Sequence, residues 1–175
     1  MTITSLLVAN RGEIAIRILR AAAEMNIPSV AVYAEDEAAS LHLTKADEAV
    51  ALSGRGVPAY LDGAGILAIA KDTGCDAIHP GYGFLSENAS FVQVIEDHGL
   101  TFIGPTAEHI RIMGDKISAK DSMKELGVPC VPGSNGGVPT LEDAKRIGAE
   151  MGYPVIIKAT AGGGGRGMKV AQSAD

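Results

Sequence analysis

Cysteine, long apolar runs and an excess of basic charge are all scarce or missing in this 175-residue sequence. Its two cysteines cannot form a disulfide scaffold or a four-ligand zinc site, so a reducing compartment is expected. No apolar run approaches the roughly 20 residues of a membrane span, and the N-terminus lacks the basic and apolar pattern of a signal peptide. The net charge of −6 argues against nucleic acid as a partner, because phosphate backbones are bound by clustered Lys and Arg. We therefore expect a cytoplasmic protein that binds neither a membrane nor a nucleic acid.

The remaining composition is typical of a globular protein, but charge is distributed unevenly along the chain. Hydrophobic residues make up 46% and charged residues 21% of the sequence. Residues 1–112 carry seven Lys and Arg against fourteen Asp and Glu, whereas residues 113–175 carry eight against seven. This contrast predicts two domains, one over residues 1–112 and one over residues 113–175.

Strand and helix patterns alternate through the first of these domains. Short apolar runs predict five strands, at residues 5–9, 28–33, 48–52, 76–79 and 100–103. Helices are predicted between and after them, at residues 12–25, 38–46, 62–73, 87–98 and 106–113. Strands that alternate with helices at this spacing form a parallel sheet covered on both faces. The predicted fold class is therefore α/β, with an open parallel sheet.

The second domain begins with helices and ends in a hairpin pattern. A helix is predicted over residues 116–126, and another begins at Thr140, where Asp143 three residues later completes a capping pattern. Residues 154–160 predict a strand, a glycine run follows, and residues 168–171 predict a returning strand. A hairpin needs further strands or a helix to cover it, so we expect this chain to be part of a longer protein.

The glycine run Gly162–Gly167 partly matches three kinds of phosphate site, and its sequence context rejects two of them. It satisfies the dinucleotide-binding pattern G-x-G-x-x-G, but that site needs a helix after the glycines and a strand pattern follows here. It nearly satisfies the Walker pattern, but Met168 stands where that site requires Lys. The third interpretation is a flexible hairpin lid whose backbone N–H groups cover phosphate oxygens. The alternative to a lid is a loose surface hairpin, which we disfavour because four consecutive glycines carry a large entropic cost.

Two lysines are candidate phosphate contacts. Lys158 lies on the strand that leads into the glycine run, where a charged side chain is unfavourable unless it meets an anion or reaches solvent. It could instead be an edge-strand lysine that discourages aggregation. Lys116 lies at a predicted helix start, a region favourable to anions, although a solvated helix lysine is the more common case.

Several motifs, in order along the whole chain, resemble biotin carboxylase, the ATP-grasp component of acetyl-CoA, propionyl-CoA, urea and pyruvate carboxylases. The most specific are HPGYGFLSEN at residues 79–88 and GGGGRGM at residues 162–168. The others are VANRGEIA at residues 8–15, FIGP at 102–105, MGDK at 113–116, GVPCVPG at 127–133 and YPVIIKATA at 153–161. The resemblance implies a Rossmann-like, pre-ATP-grasp N-terminal domain followed by the beginning of an ATP-grasp domain.

The resemblance also implies an activity and its partners. Biotin carboxylases use ATP, with magnesium or manganese, to phosphorylate bicarbonate, and the resulting carboxyphosphate supplies CO₂ to N1 of biotin. The biotin is attached to a carrier domain, and a carboxyltransferase component uses the carboxylated product. The matching segments occur in all four kinds of carboxylase, so they do not distinguish the final carboxyl acceptor.

Particular residues match functional positions of the family. The implied nucleotide-binding residues are Lys116, Lys158, Gly162, Gly163, Gly164, Gly165, Arg166, Gly167 and Met168. Tyr82 and Gly83 match positions that line the biotin pocket, and Arg20 and Glu24 match residues of the family's homodimer contact. The family's metal-binding glutamates, bicarbonate-binding residues and catalytic base lie beyond residue 175, so we expect the chain alone to be inactive, with no catalytic residue or metal ligand of its own.

Two further features of the sequence each have more than one possible role. The Asn10–Glu13 motif follows the first strand at the sheet edge where ligands bind, and it equally fits a simple helix start with a Glu13–Arg17 pair. His79 is eligible as an acid or base, but a structural role is favoured at a strand end beside Pro80. The alternatives for the whole chain are a different ATP-grasp ligase, of the carbamoyl-phosphate or purine-carboxylating type, and a non-catalytic dimerisation or nucleotide-binding module.

Overall fold

The computed structural model of the chain describes residues 2–134, 136–159 and 167–175, and for Lys116 it describes the backbone alone. The chain forms two compact units, the first ending at Arg111 and the second beginning at Ile112. In the described part of the chain, no helix is both long enough and apolar enough to cross a bilayer.

The first unit is built on a five-stranded sheet in which every pairing is parallel. Its strands are β1 Leu6–Val8, β2 Ser29–Tyr33, β3 Glu48–Ala51, β4 Ala77–His79 and β5 Thr101–Phe102. Each strand lies within one residue of its predicted bounds at both ends. The predicted α/β class and open parallel sheet are therefore confirmed.

The order of the strands creates a switch point beside β1. The sheet runs β3-β2-β1-β4-β5, so the chain builds outward from β1 on one side and then crosses to β4 on the other. In open α/β sheets, ligands bind beyond the carboxyl ends of the strands at such a switch point. Here those ends belong to β1 and β4, which pair with Leu7 opposite Ile78.

Helices cover both faces of this sheet. They are α1 Gly12–Glu24, α2 Gly56–Ala59, α3 Gly63–Asp72, α4 Ala89–Asp97 and α5 Ala107–Gly114. Alternate residues of β1 enter different cores, as a period of two requires, so that Leu6 and Val8 lie in one and Leu7 in the other. The smaller core is formed with α1 residues such as Leu19, and the larger with α3 and α4 residues such as Ile66 and Ile95.

The predicted helix over residues 38–46 is wrong, and α2 was not predicted. Two short 3₁₀ helices, Glu35–Glu37 and Leu41–Lys45, occupy this part of the chain. The carboxylates of Glu35 and Asp36 accept hydrogen bonds from the N–H groups of Gly54 and Gly56, 19 and 20 residues away. These tertiary hydrogen bonds hold the segment that leads into residues 38–46, and a local residue pattern does not reveal them.

The second unit contains two further helices and a hairpin. They are α6 Lys116–Glu125, α7 Leu141–Met151, and the antiparallel strands β6 Val155–Lys158 and β7 Met168–Ala171. The predicted capping pattern is present, because the Thr140 hydroxyl accepts the Asp143 N–H at 3.1 Å and donates to its carboxylate at 2.7 Å. The returning strand after the glycine run is also confirmed.

Candidate functional site

The carboxyl ends of β1 and β4 each lead into a segment rich in polar groups and glycine. We call residues 10–13 the 10–13 segment and residues 80–84 the 80–84 turn. The 10–13 segment leads into α1, and the 80–84 turn follows His79, the last residue of β4. Both therefore lie at the switch point of the sheet, and both come from the motifs singled out in the sequence.

The side chain of Asn10 joins the two segments. It is only 3% exposed, and its Nδ2 donates to the carbonyl oxygens of Pro80 at 2.6 Å and Tyr82 at 2.9 Å. Its Oδ1 accepts the N–H of Arg11 at 2.9 Å. Both N–H bonds of the amide and its oxygen are thus used, as a buried polar group requires.

The 80–84 turn has an unusual backbone that admits Asn10 closely. Gly81 and Gly83 have φ values of +65° and +68°, a region that favours glycine, and Phe84 has a φ of +43°. A Cβ added at Gly81 would lie 2.7 Å from the Asn10 Nδ2. Glycine at position 81 is therefore required both by the turn and by the approach of Asn10.

Glu13 holds the turn at a second point. The Tyr82 hydroxyl donates to Glu13 Oε1 at 2.6 Å, although the Tyr82 side chain is largely exposed. The hydrogen bond to Glu13 and its negative charge raise the pKa of Tyr82. The contact with Glu13 therefore opposes ionisation of Tyr82 beside the first turn of α1.

Arg11 holds the turn at a third point through two aromatic rings. The rings of Tyr60 and Phe84 are stacked with centroids 5.1 Å apart, and the Arg11 guanidinium carbon lies 5.4 and 5.7 Å from them. Arg11 is ion-paired with Glu37, whose other carboxylate oxygen accepts the Tyr60 hydroxyl at 2.6 Å. Burial and the hydrogen bond to Glu37 raise the pKa of Tyr60.

A cavity of about 390 Å³ opens between the two segments. It is lined by Asn10, Arg11, Gly12, Glu13, Ile14, Tyr82, Gly83 and Phe84. The structure thus brings the predicted residues Tyr82 and Gly83 together with the Asn10–Glu13 motif. Its walls combine aromatic surface with charged and amide groups, which suits a small polar ligand that carries an apolar part.

The His79 side chain contacts the backbone of the 80–84 turn. Its Nδ1 accepts the N–H of Gly81 at 3.1 Å, and the side chain is half-buried. Burial lowers the pKa of His79, because it disfavours the charged imidazolium. The contact with Gly81 agrees with the structural role favoured from the sequence.

The predicted nucleotide residues lie in the second unit, and the structure describes some of them. Lys158 at the end of β6 pairs with Met168 at the start of β7, and both are exposed. Gly167 has a φ of +73°, and its carbonyl accepts the N–H of Ala159 at 2.8 Å. Because β7 follows the glycine run, rejection of the dinucleotide-binding pattern is confirmed.

The other predicted nucleotide residues are only partly placed. Gly162, Gly163, Gly164, Gly165 and Arg166 lie outside the described residues. Lys116 is the first residue of α6, as predicted, and the preceding Asp115 caps that helix by accepting the Ser118 N–H at 2.7 Å. Among the residues that the structure describes, no three His, Cys, Asp or Glu side chains converge as a metal site would need.

Sequence reasoning missed Glu37 and Tyr60 as members of this site. Glu37 lies 26 residues after its partner Arg11, and Tyr60 lies 23 residues after its partner Glu37. No local spacing in the sequence therefore relates these residues. The only signal was indirect, because an isolated Arg11 beside a strand end calls for an acidic partner.

Comparison with known families matches nearly the whole chain. The family described as "Biotin carboxylase, N-terminal domain" matches residues 2–110. The family described as "Carbamoyl-phosphate synthase L chain, ATP binding domain" matches residues 115–175.

Two curated relatives illustrate how much of a longer protein this chain spans. Biotin carboxylase of Pseudomonas aeruginosa is 57% identical over 166 residues, which cover 94% of this chain and 37% of that protein. Pyruvate carboxylase of Bacillus subtilis is 53% identical over 175 residues, which cover 98% of this chain and 15% of that protein. The chain therefore spans well under half the length of either relative.

Solved structures share the fold. A biotin carboxylase–β,γ-ATP complex from Campylobacter jejuni superposes with a TM-score of 0.93 at 46% identity, over 99% of this chain and 39% of that one. A second similar structure is the biotin carboxylase domain dimer of Hydrogenobacter thermophilus 2-oxoglutarate carboxylase, in complex with MgADP, ADP and bicarbonate. It superposes with a TM-score of 0.90 at 48% identity, over 99% of this chain and 38% of that one. The chain belongs to the biotin carboxylase family, with that family's N-terminal domain followed by the start of an ATP-grasp domain.

Proposed function

We propose that this chain is the N-terminal part of an ATP-dependent biotin carboxylase, a ligase that serves a biotin-dependent carboxylase. In the proposed reaction, bicarbonate attacks the γ-phosphorus of ATP, and carboxyphosphate and ADP form. Carboxyphosphate then releases CO₂ and phosphate, and N1 of carrier-bound biotin captures the CO₂. The observation that carries this proposal is the similarity, over 99% of the chain, to a domain that holds MgADP and bicarbonate.

We assign the two units to the two parts of this machinery. Residues 1–112 would form the biotin carboxylase N-terminal domain, and residues 113–175 the start of the ATP-binding domain. The family matches over residues 2–110 and 115–175 support this division. The division of the chain between Arg111 and Ile112 supports it as well.

Nucleotide binding is assigned to the second unit. Lys116 and Lys158 would supply positive charge to the phosphates, and Gly162–Gly167 with Met168 would form the lid above them. Phosphoryl transfer depends chiefly on positioning and charge stabilisation, which lysines and backbone amides provide. The family resemblance leads us to infer that the ligands of magnesium or manganese lie in the remainder of the parent protein.

Biotin binding is assigned to the cavity at the switch point. Its walls include Tyr82 and Gly83, and its open side would admit a small ring attached to a carrier domain. Peptide and hydroxyl groups at the wall suit the polar ureido group of biotin, and the aromatic surface suits its apolar ring.

The partners and location are also part of this proposal. The similar Hydrogenobacter domain is a dimer, which supports a homodimer that uses Arg20 and Glu24 on α1. The biotin carboxyl carrier domain and the carboxyltransferase component would be partners of this protein in one complex, in the cytoplasm. The relatives include a pyruvate carboxylase and a 2-oxoglutarate carboxylase, so this part of the chain leaves the final acceptor open.

The first experiment compares the full-length parent protein with this chain. We expect the parent to release ADP in a bicarbonate-dependent reaction and to carboxylate free biotin. We expect the 175-residue chain to bind ATP weakly and to release no ADP, because the remaining ligands and base are elsewhere. Clear turnover by the chain alone would contradict the assignment of catalysis to the missing part.

A lysine pair tests the nucleotide assignment. Lys158 pairs with Met168 and the neighbouring Lys169 pairs with Ile157, so the two lysines lie on opposite faces of the hairpin. In the parent protein, Lys158→Ala should raise the KM for ATP at least tenfold, whereas Lys169→Ala should leave it within about twofold. Equal effects of the two substitutions would exclude a specific phosphate contact by Lys158.

A carbamoyl-phosphate type of ligase is the second candidate. It is favoured by the match of residues 115–175 to the ATP-binding domain of carbamoyl-phosphate synthase. That family and biotin carboxylase share the activation of bicarbonate by ATP. Bicarbonate-dependent ADP release that yields carbamoyl phosphate with an ammonia donor, and no carboxybiotin, would favour this candidate.

A further inference from the structure

We propose that Asn10 is a positioning residue for biotin: it sets the backbone conformation of the 80–84 turn and does not itself bind the substrate. This inference rests on the proposed function, because it concerns the cavity that is assigned to biotin. It gives the Asn10–Glu13 motif a role that a simple helix start would not provide.

Asn10 is buried, and its side-chain amide is bonded within the protein. The side chain is 3% exposed, and its amide is committed to Pro80, Tyr82 and the Arg11 N–H. A buried side chain whose two N–H groups are both committed is poorly suited to bind a ligand. Its two donated bonds instead join strand ends whose residues are 70 and 72 positions apart in the chain.

The backbone of the 80–84 turn needs such support. Three of its five residues, Gly81, Gly83 and Phe84, have positive φ values. Backbone of this kind persists only where surrounding contacts determine it, particularly at the non-glycine residue. Asn10 gives this support at Gly81, because it binds the carbonyls of Pro80 and Tyr82, the residues on either side of that glycine.

The neighbours of Asn10 in the 10–13 segment, Arg11 and Glu13, contact only side chains of the 80–84 turn. Glu13 binds the Tyr82 hydroxyl, and Arg11 lies over the Phe84 ring. Asn10 is the member of the 10–13 segment whose side chain binds the backbone carbonyls of the 80–84 turn. Loss of these two bonds would therefore move the peptide groups around Tyr82 and Gly83, which line the cavity.

The role of Asn10 can be tested by replacing its amide with a carboxylate of nearly the same size and shape. In Asn10→Asp the carboxylate still accepts the Arg11 N–H, but an oxygen replaces the group that donates to Pro80 and Tyr82. Two carbonyl oxygens would then face a negative oxygen at hydrogen-bond distance, which is repulsive. The turn should shift while the overall volume of the side chain stays the same.

The experiment uses the full-length parent protein and free biotin as the probe. For Asn10→Asp we expect the KM for biotin to rise at least about tenfold, the effect of losing one or two hydrogen bonds, with the KM for ATP within about twofold. The matched control is Asn26→Asp, which makes the same charge change at an exposed residue beyond the end of α1. It should leave both constants within about twofold.

Gly81→Ala provides a second variant if Asn10→Asp does not fold, which the melting temperature of each protein reports. Its new Cβ would lie 2.7 Å from the Asn10 Nδ2 and displace that amide, so the same selective rise in the KM for biotin is expected. A folded variant with an unchanged KM for biotin, or with equal rises for biotin and ATP, would overturn the role of Asn10. Failure of the unmodified parent to carboxylate biotin would instead overturn the proposed function.

Discussion

The hydroxyl of Tyr82 donates a 2.6 Å hydrogen bond to the Glu13 carboxylate, and so it connects the 80–84 turn to the first turn of α1 across 69 residues. Tyr82 is 61% exposed, yet this bond gives its ring a fixed orientation at the wall of the cavity. A free tyrosine at this position would lose rotamer freedom on binding a ligand, whereas a tethered one has already lost it.

The ionisation of Tyr82 tests this contact. Glu13→Gln removes the negative charge that opposes formation of tyrosinate, so the pKa of Tyr82 should fall toward its ordinary value. The measurement is an ultraviolet titration of tyrosinate, with the curve of the Tyr82→Phe protein subtracted to isolate Tyr82. Glu24→Gln, at the other end of the same helix, should leave the curve unchanged. No change with Glu13→Gln would show that the contact is absent in solution.

The burial of His79 predicts a loss of stability in weak acid. Its pKa is lowered in the folded state, so below about 6.5 the unfolded chain binds more protons at this residue than the folded one. The contribution of His79 is therefore complete above that pH and is lost as the pH falls toward the folded-state pKa. Protonation would also remove the acceptor at Nδ1 for the Gly81 N–H.

Denaturant unfolding of the chain at a series of pH values measures this loss. His79→Gln should reduce the decline in the free energy of unfolding between neutral and weakly acidic pH. The corresponding change at His98, which is exposed, should leave the decline as it is in the unmodified chain. The prediction is wrong if the two substitutions alter the pH profile equally.

Tyr60 predicts a loss of stability in alkali. Its pKa is raised by burial and by Glu37, so above about pH 10 the folded state retains a proton that the unfolded chain releases. The free energy of unfolding should fall with rising pH from that point, with a slope that approaches about 1.4 kcal/mol per pH unit from this residue. Tyr60→Phe should be less stable at neutral pH and should lack this part of the slope. If the free energy of unfolding falls with pH equally in the two proteins, this contribution of Tyr60 is excluded.

The cap of α7 gives a prediction for the second unit. Thr140→Ala removes the acceptor for the Asp143 N–H, which should destabilise the helix by about 1 kcal/mol. Amide hydrogen exchange in α7 should then accelerate by roughly fivefold. Thr140→Ser retains the hydroxyl and should exchange at nearly the unmodified rate. The hydroxyl also holds the pKa of Asp143 below its usual range, so the alanine substitution should raise that pKa.

The sequence was a sufficient guide where the relevant information is local. The five strands of the first unit were predicted within one residue because each is a short apolar run bounded by polar or turn residues. The hairpin of the second unit was predicted because a glycine run separates two strand patterns, and the cap of α7 because Thr140 and Asp143 lie three residues apart. Hydrogen bonds between residues far apart in the chain were harder to foresee, as the failed helix over residues 38–46 demonstrates.

The sequence by itself determined the α/β class and the motifs that identify the family. It also pointed to Tyr82, Gly83 and the Asn10–Glu13 motif, but not to Glu37 or Tyr60. Only the tertiary structure decided that Asn10 binds Pro80 and Tyr82, and that Arg11 meets Glu37 beside the stacked ring of Tyr60. The physical reason is that the order of parallel strands arises from packing over the whole sheet, and no spacing along the chain encodes it. Because β1 lies between β2 and β4, segments 70 residues apart share one cavity.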